Sequence, residues 1–201
     1  MEITAGHVKK LREKTGVGLM DCKEALKHSS GDMEKAIEYL REKGLAKLQK
    51  RSGRVASEGV ITSYIHAGSK VGVMVEVNSE TDFVAKTDDF QDFAKDVAMQ
   101  ITAANPLYIN REDVPEEVKE KEKALYRRQA IDSGKPEKIV DKIAEGKMEK
   151  FYQEVCLLDQ SFIKNPDVTI KSLLESLVIK LGENIVIRRF ARFQLGETTE
   201  E

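Results

Sequence analysis

Apolar and polar positions change their rhythm several times along the 201-residue chain, and each change marks an element. In the first fifty residues the apolar positions fall at helical spacing. Thr4 reads as the cap of a first helix with Val8 and Leu11 facing inward, ended by Thr15-Gly16. Leu19 to Lys27 predicts a second helix with Met20, Ala25 and Leu26 as apolar candidates. Gly31 breaks it, and Asp32 caps a third helix that carries Met33, Ala36, Ile37 and Leu40 and is expected to close at Gly44. Three helices this short form a small domain with a thin core. Adjacent Leu19 and Met20 cannot both face so small a core, so one reads as an exposed docking contact or, equally, as ordinary core. Residues 45 to 58 read as a linker, basic at Lys47, Lys50, Arg51 and Arg54 and loosened by Ser52-Gly53 and Ser57. It is a solvated tether or, less simply, a surface for nucleic acid.

The rhythm then shortens to two. Val60 to His66 alternates, Ala67-Gly68-Ser69-Lys70 is a turn, and Val71, Val73, Val75 and Val77 share one face of a second strand, which predicts an antiparallel hairpin. A third strand comes near the far end, with Ile185, Ile187, Ala191, Phe193 and Leu195 alternating with Arg188, Arg192 and Gln194. Arg189 intrudes on its apolar face. Between them lie helices. Thr87 caps the most amphipathic one, Asp88 to Ala104, which places Phe90, Phe93, Ala94, Val97, Ala98 and Ile101 on one buried face before Asn105-Pro106 stops it. After Val114-Pro115 comes a charged helix to about Asp132 with a narrow apolar stripe of Val118, Ala124 and Leu125. Pro136 opens another, with Gly146 at its weakest point and an apolar face running on through Phe151, Val155, Leu158 and Phe162. Thr169 caps a last helix, rich in leucine, that Gly182 ends, and the acidic tail after Gly196 is expected to be disordered. The fold class is α+β: an N-terminal three-helix domain with its basic linker over residues 1–54, then a three-stranded antiparallel sheet packed with helices over 55–201.

Composition narrows the function. Charged residues are 34% of the chain but nearly balanced, at a formal net charge of -2, so no strong field draws nucleic acid or anionic membrane. Tryptophan is absent and aromatics are 6%, which disfavours base-stacking platforms. The Met1-Glu2-Ile3-Thr4 start resembles no signal peptide, and no apolar run reaches membrane-span length. Cys22 and Cys156 lack metal-ligand spacing and read as small buried residues in a reducing compartment. His7, His28 and His66 lie in unrelated segments, and no serine or cysteine sits in a strand-to-helix elbow, so covalent catalysis is not indicated. The Gly16-Val17-Gly18-Leu19-Met20-Asp21 segment has no preceding strand, no third glycine and no Lys-Ser/Thr, and so is no phosphate loop.

One stretch asks for an explanation. Asn78-Ser79-Glu80-Thr81-Asp82-Phe83-Val84-Ala85 joins the valine-rich strand to the helices that follow. Thr81 is a good N-cap and Asp82 suits the positive end of a helix, which leaves Phe83 in a first turn at the rim of a sheet. By residue type alone, Phe83 is a core side chain or an interface wedge.

Two long segments carry a resemblance. Val8-Lys9-Lys10-Leu11-Arg12-Glu13-Lys14-Thr15-Gly16-Val17-Gly18-Leu19-Met20-Asp21-Cys22-Lys23-Glu24-Ala25-Leu26 is similar to the opening signature of the bacterial elongation factor Ts family. Val75-Glu76-Val77-Asn78-Ser79-Glu80-Thr81-Asp82-Phe83-Val84-Ala85 resembles that family's second signature, in the same order and separation, and Leu157-Leu158-Asp159-Gln160-Ser161-Phe162 also fits. The resemblance implies a guanine-nucleotide exchange factor, not an enzyme, that associates with the GDP complex of elongation factor Tu and promotes exchange of GDP for GTP by disturbing the Mg²⁺ site. It assigns that role to Thr81, Asp82, Phe83 and Val84, of which Val84 is expected to pack locally. It implies an N-terminal domain like ubiquitin-associated modules that docks on the partner's nucleotide-binding domain, with Leu11, Leu19 and Met20 as contact candidates. No cofactor, metal ligand or catalytic residue of its own is implied, and the location is cytoplasmic. Long family members carry two related sheet subdomains and a coiled-coil insertion, whereas this chain has strands for one sheet. A homodimer through the sheet's outer face or edge is therefore expected, with no direct contact to nucleic acid or membrane. The competing class is an adaptor that binds peptide or RNA through the helical domain and basic linker.

Overall fold

Helix α1, Ala5–Thr15, begins where Thr4 accepts a hydrogen bond from His7 N, and ends at Gly16 in the left-handed region at φ 67°. Such a cap is worth about 1 kcal/mol. Helix α2 spans Leu19–His28, and Asp32 caps α3 by accepting from Glu34 N and Lys35 N at 3.0 and 3.1 Å. Val8, Leu11, Cys22, Ala25, Leu26, Ala36 and Leu40 form one buried cluster between these helices. Each large member contributes roughly 1.5–3 kcal/mol. The computed structural model describes residues 3–197, and the backbone alone at Leu45 and Lys47. The acidic tail expected beyond Gly196 lies, from Thr198 on, outside the described residues, as do Met1 and Glu2.

Gly44 does not close the third helix. Helix α3 runs Met33–Arg51, with Gly44 buried in its middle. A Cβ there would stand 2.8 Å from Ile179 Cδ1, so the glycine serves close approach rather than termination. A glycine inside a helix costs about 1 kcal/mol relative to alanine, and here its missing side chain leaves room for the end of Ile179. The linker accordingly shrinks to the residues after Arg51. Lys50 and Arg51 occupy the last helical turn, where positive charge suits the helix dipole, and Arg51 Nη1 donates to Val178 O at 3.1 Å.

The strands are β1, Glu58–Ile65, and β2, Val71–Ser79, and a third closes the chain after the helices described next. A single turn, α4 (Asp82–Ala85), precedes α5 (Asp88–Ala104), whose six expected apolar residues are all buried. Helices α6 (Glu116–Asp132) and α7 (Glu137–Val155) pair as a hairpin, and Gly146 does not interrupt α7. The apolar face expected to continue through Phe162 is instead broken at Cys156. There the backbone extends and bridges to Tyr108, Leu157–Asp159 form a 3₁₀ turn, and β3 (Ser161–Phe162) pairs with β4 (Asn165–Thr169). The break is fixed from outside: Leu157 N donates to Tyr108 O at 2.9 Å, and Arg111 donates to Asp159 at 2.6 Å and to Glu149 at 2.8 Å. Helix α8 (Ile170–Leu181) leads through Gly182, at φ 85°, into β5 (Ile185–Gln194).

The sheet is antiparallel in the order β1-β2-β5. Val73, Val75 and Val77 are buried as expected. On β5 the two-residue period slips. Ile185 and Ile187 are buried, Arg188 and Arg189 are both exposed, and Arg189 Nε donates at 2.7 Å to Glu76, on the face of β2 opposite Val75 and Val77. Arg189 therefore marks a change of face, not a charge on the apolar one. Phe193 and Leu195, expected on the inner face, are 68% and 76% exposed. The chain folds as two compact units, Met1–Val60 with Asn78–Gln91 and Leu174–Val186, and Ile61–Val77 with Asp92–Leu173 and Ile187–Glu201.

Candidate partner-binding site

Within the first unit, the polar stretch after β2 is built from its backbone outward. Ser79 is fully buried, and its hydroxyl donates to Thr81 O at 2.8 Å. Asn78 Nδ2 donates to Glu58 O at 3.1 Å. Glu80 accepts from Asn184 N at 2.7 Å and pairs with Arg54 at 3.4 Å. Thr81 donates twice to one carboxylate, its N–H to Glu183 Oε2 at 3.0 Å and its hydroxyl to Glu183 Oε1 at 2.7 Å. The same hydroxyl oxygen receives Val84 N at 3.5 Å. These bonds fix the start of α4. Its end is held by Thr87 Oγ1 donating to Val84 O at 2.7 Å and by Gln91 Nε2 donating to Ala85 O at 2.6 Å.

The residues of this turn differ in how far they are covered. Thr81 is half-buried and is the cap expected of it. Val84 is half-buried and Ala85 is buried. Phe83 is 80% exposed. That exposure excludes the core reading of Phe83, because a side chain with so little cover contributes little to the fold. Asp82 is paired with Lys86 at 2.6 Å, one helical turn on. The lysine's hydrogen bond and charge hold the Asp82 carboxyl below the usual aspartate range, and Asp82 in turn raises Lys86. Asp82 is therefore ionised at neutral pH, in a solvent-screened pair that a stronger partner can displace.

The N-terminal candidates separate cleanly. Leu11 has no exposed surface and belongs to the three-helix core, so it offers nothing to a partner. Leu19 and Met20, in the first turn of α2, are 50% and 73% exposed, where the sequence left room for one of them inside. Of the site's anchors, Arg54 reads in the sequence only as a basic linker residue, and Glu183, Asn184 and Gln91 carry no reading there at all. The only signal was the polar Gly182-Glu183-Asn184 between a leucine-rich helix and an apolar strand, which reads as a simple helix stop. Among the described residues no group of three or more His, Cys, Asp or Glu side chains is arranged to hold a metal ion. No described helix is long and apolar enough to cross a membrane.

The family known as Elongation factor TS matches residues 7–197. The chain belongs to the elongation factor Ts family. Elongation factor Ts of Carboxydothermus hydrogenoformans is 62% identical over 97% of this chain and 90% of its own. That of Syntrophus aciditrophicus is 60% identical over 98% of each chain, and that of Caldanaerobacter subterraneus is 58% identical over 99% of this chain and its whole length. The match takes in the Thr81–Val84 turn, both expected signature stretches and the α6–α7 hairpin. Family membership places the chain among the factors of translation elongation.

Proposed function

We propose that the protein is the guanine-nucleotide exchange factor of elongation factor Tu, acting in the cytoplasm by binding rather than by covalent chemistry. It engages the GDP complex, and the α4 turn enters the partner beside its nucleotide site. Only differential affinity shifts such an equilibrium, so the factor binds the nucleotide-free partner more tightly than the loaded one. By linkage, it weakens GDP by the same factor by which GDP weakens it. Mg²⁺ is the vulnerable point, because it demands near-octahedral geometry at about 2.0–2.1 Å. A displacement of about 1 Å in the elements around it loosens both ion and phosphates. Phe83 is the rigid apolar wedge, with few torsions to freeze. Asp82 brings a carboxylate to the partner's cation and polar network as it parts from Lys86, Thr81 fixes the turn, and Val84 packs locally.

The observation that carries this reading is a phenylalanine 80% exposed on a turn clasped at both ends, in a chain of this family. Residues 1–54, resembling a ubiquitin-associated module, dock on the partner's nucleotide-binding domain through Leu19 and Met20. Residues 55–201 hold the wedge and associate with a second copy. The outer sheet face of the second unit supports that association: Ile61, Ile65, Met74, Phe193 and Leu195 are all exposed, and four of them line one shallow cleft. An exposed apolar patch of this kind suits a two-fold homodimer, in which the same surface meets itself. Neither nucleic acid nor membrane contact is part of the reading. Release of labelled GDP from elongation factor Tu, with and without the protein, tests it. Acceleration that saturates with protein concentration is expected. Unchanged release, with salt-sensitive RNA binding instead, would favour the adaptor class.

A further inference from the structure

Phe83 poses a physical problem. With four-fifths of its surface in solvent, packing does not hold it, and a wedge that wanders loses its advantage before it meets the partner. Its placement must come from the backbone of the turn. At the start of that turn, two bonds reach one carboxylate from across 102 positions of sequence: those that Thr81 donates to Glu183, at 3.0 and 2.7 Å. We propose that Glu183 is a positioning residue for the exchange wedge: its carboxylate sets the direction of α4, and hence of Phe83, without touching the partner's nucleotide site. This inference rests on the reading of Phe83 as the wedge.

The chemistry asks for a carboxylate. Both contacts reach Glu183 from donors, the Thr81 N–H and the Thr81 hydroxyl, so the acceptor group must offer two oxygens and no hydrogen. An ionised acceptor makes such bonds shorter and stronger than a neutral one. With its proton committed to Glu183, the hydroxyl turns a lone pair toward Val84 N and caps the turn. A glutamine keeps the volume but sets an NH₂ against one of the two donors. The hydroxyl must then accept from that NH₂, which competes with the cap. Next to this contact runs its mirror: Glu80, the neighbour of Thr81, accepts from the backbone of Asn184, the neighbour of Glu183, at 2.7 Å. Asn184 is itself buried and donates to Arg54 O at 2.8 Å, so the anchor that carries Glu183 is fixed in turn. Gly182, left-handed at φ 85°, ends α8 one residue before the carboxylate.

The test uses the full chain with Glu183→Gln, Glu183→Asp, Phe83→Ala and the double variant Glu183→Gln/Phe83→Ala. Stimulated GDP release is followed against protein concentration, and thermal unfolding is recorded for each. Glu183→Gln is expected to lower the maximal release rate about tenfold while leaving the half-saturating concentration within about twofold, since docking elsewhere is intact. Glu183→Asp, which keeps the charge but falls one methylene short, is expected to recover part of the loss. In the Phe83→Ala background, Glu183→Gln is expected to cost nothing more, because a positioning residue has nothing left to position. If Phe83→Ala is slow but Glu183→Gln is as fast as wild type, or lowers the rate equally in both backgrounds, the inference fails and the wedge reading stands. If Phe83→Ala itself releases GDP at the wild-type rate, the wedge reading fails and takes this inference with it. Loss of folding in both Glu183 variants would make it a stability residue and overturn the proposal.

Discussion

Phe83→Ala separates the stability of the protein from its action. A phenylalanine side chain carries roughly 200 Å² of surface. At 80% exposure, only about 40 Å² of it is covered in the free protein, worth about 1 kcal/mol at 25 cal/mol per Å². Alanine is the better helix former by about 0.5 kcal/mol, so the net cost to the fold is about 0.5 kcal/mol. The exposed remainder, roughly 160 Å², represents at most about 4 kcal/mol if a partner covers it fully. If a third of that is realised as GDP leaves, the loss on truncation is about 1.4 kcal/mol, or tenfold in rate. The expected pair of results is a urea midpoint almost unchanged and a stimulated release of labelled GDP slowed at least about tenfold. A destabilisation of about 2 kcal/mol or more would mean that Phe83 packs within its own molecule, against the exposure on which the reasoning rests. Unchanged release from a stable variant would mean that the wedge is elsewhere.

Three further outcomes are expected. Phe193→Asp places a charge in the outer sheet face and should reduce the protein from two chains to one in sedimentation equilibrium; a wild-type chain that is already monomeric would remove the dimer from the account. Burial, with Asp159 nearby, pushes the Cys156 thiol up to about 11, so alkylation of the native protein at pH 8 should be far slower than of the urea-unfolded chain, whereas rapid native labelling would contradict its burial. Hydrogen bonds from Lys43 and Tyr39 hold the Glu24 carboxyl below the usual glutamate range, so its contribution is complete above about pH 4.3 and is lost as pH falls through the lowered folded value. Stability measured between pH 5 and pH 3 should therefore fall more steeply in wild type than in Lys43→Met, and equal slopes would show the pair to be idle.

Helix boundaries were legible wherever a local rule decides them. Thr4, Asp32, Thr87 and Thr169 each bond a backbone N–H a few residues on, and Gly16 and Gly182 end helices in the left-handed region. The apolar stripe of α5 needed only its own period. What was not legible depends on partners distant in sequence. Gly44 looks like a stop until Ile179 is found packed close to where its Cβ would stand. Cys156 looks helical until Tyr108 and Arg111 claim the chain around it. The slip at Arg188-Arg189 exposes Phe193 and Leu195, and only the bond to Glu76 reveals which face Arg189 takes. The site divides in the same way. Thr81 as a cap followed from residue type, and Phe83 as an outward residue needed the family resemblance and then the coordinates. Glu183 gave no sign, because a glutamate after a helix-ending glycine is an ordinary surface residue until its two oxygens find Thr81.

The central claim is differential affinity, and titration calorimetry of the protein with elongation factor Tu reads it directly. The account predicts a dissociation constant for the nucleotide-free partner at least about tenfold below that for the GDP complex, matched by an equal weakening of GDP when the protein is bound. Equal affinity for the two forms would contradict it, since a ligand that binds both states alike displaces nothing.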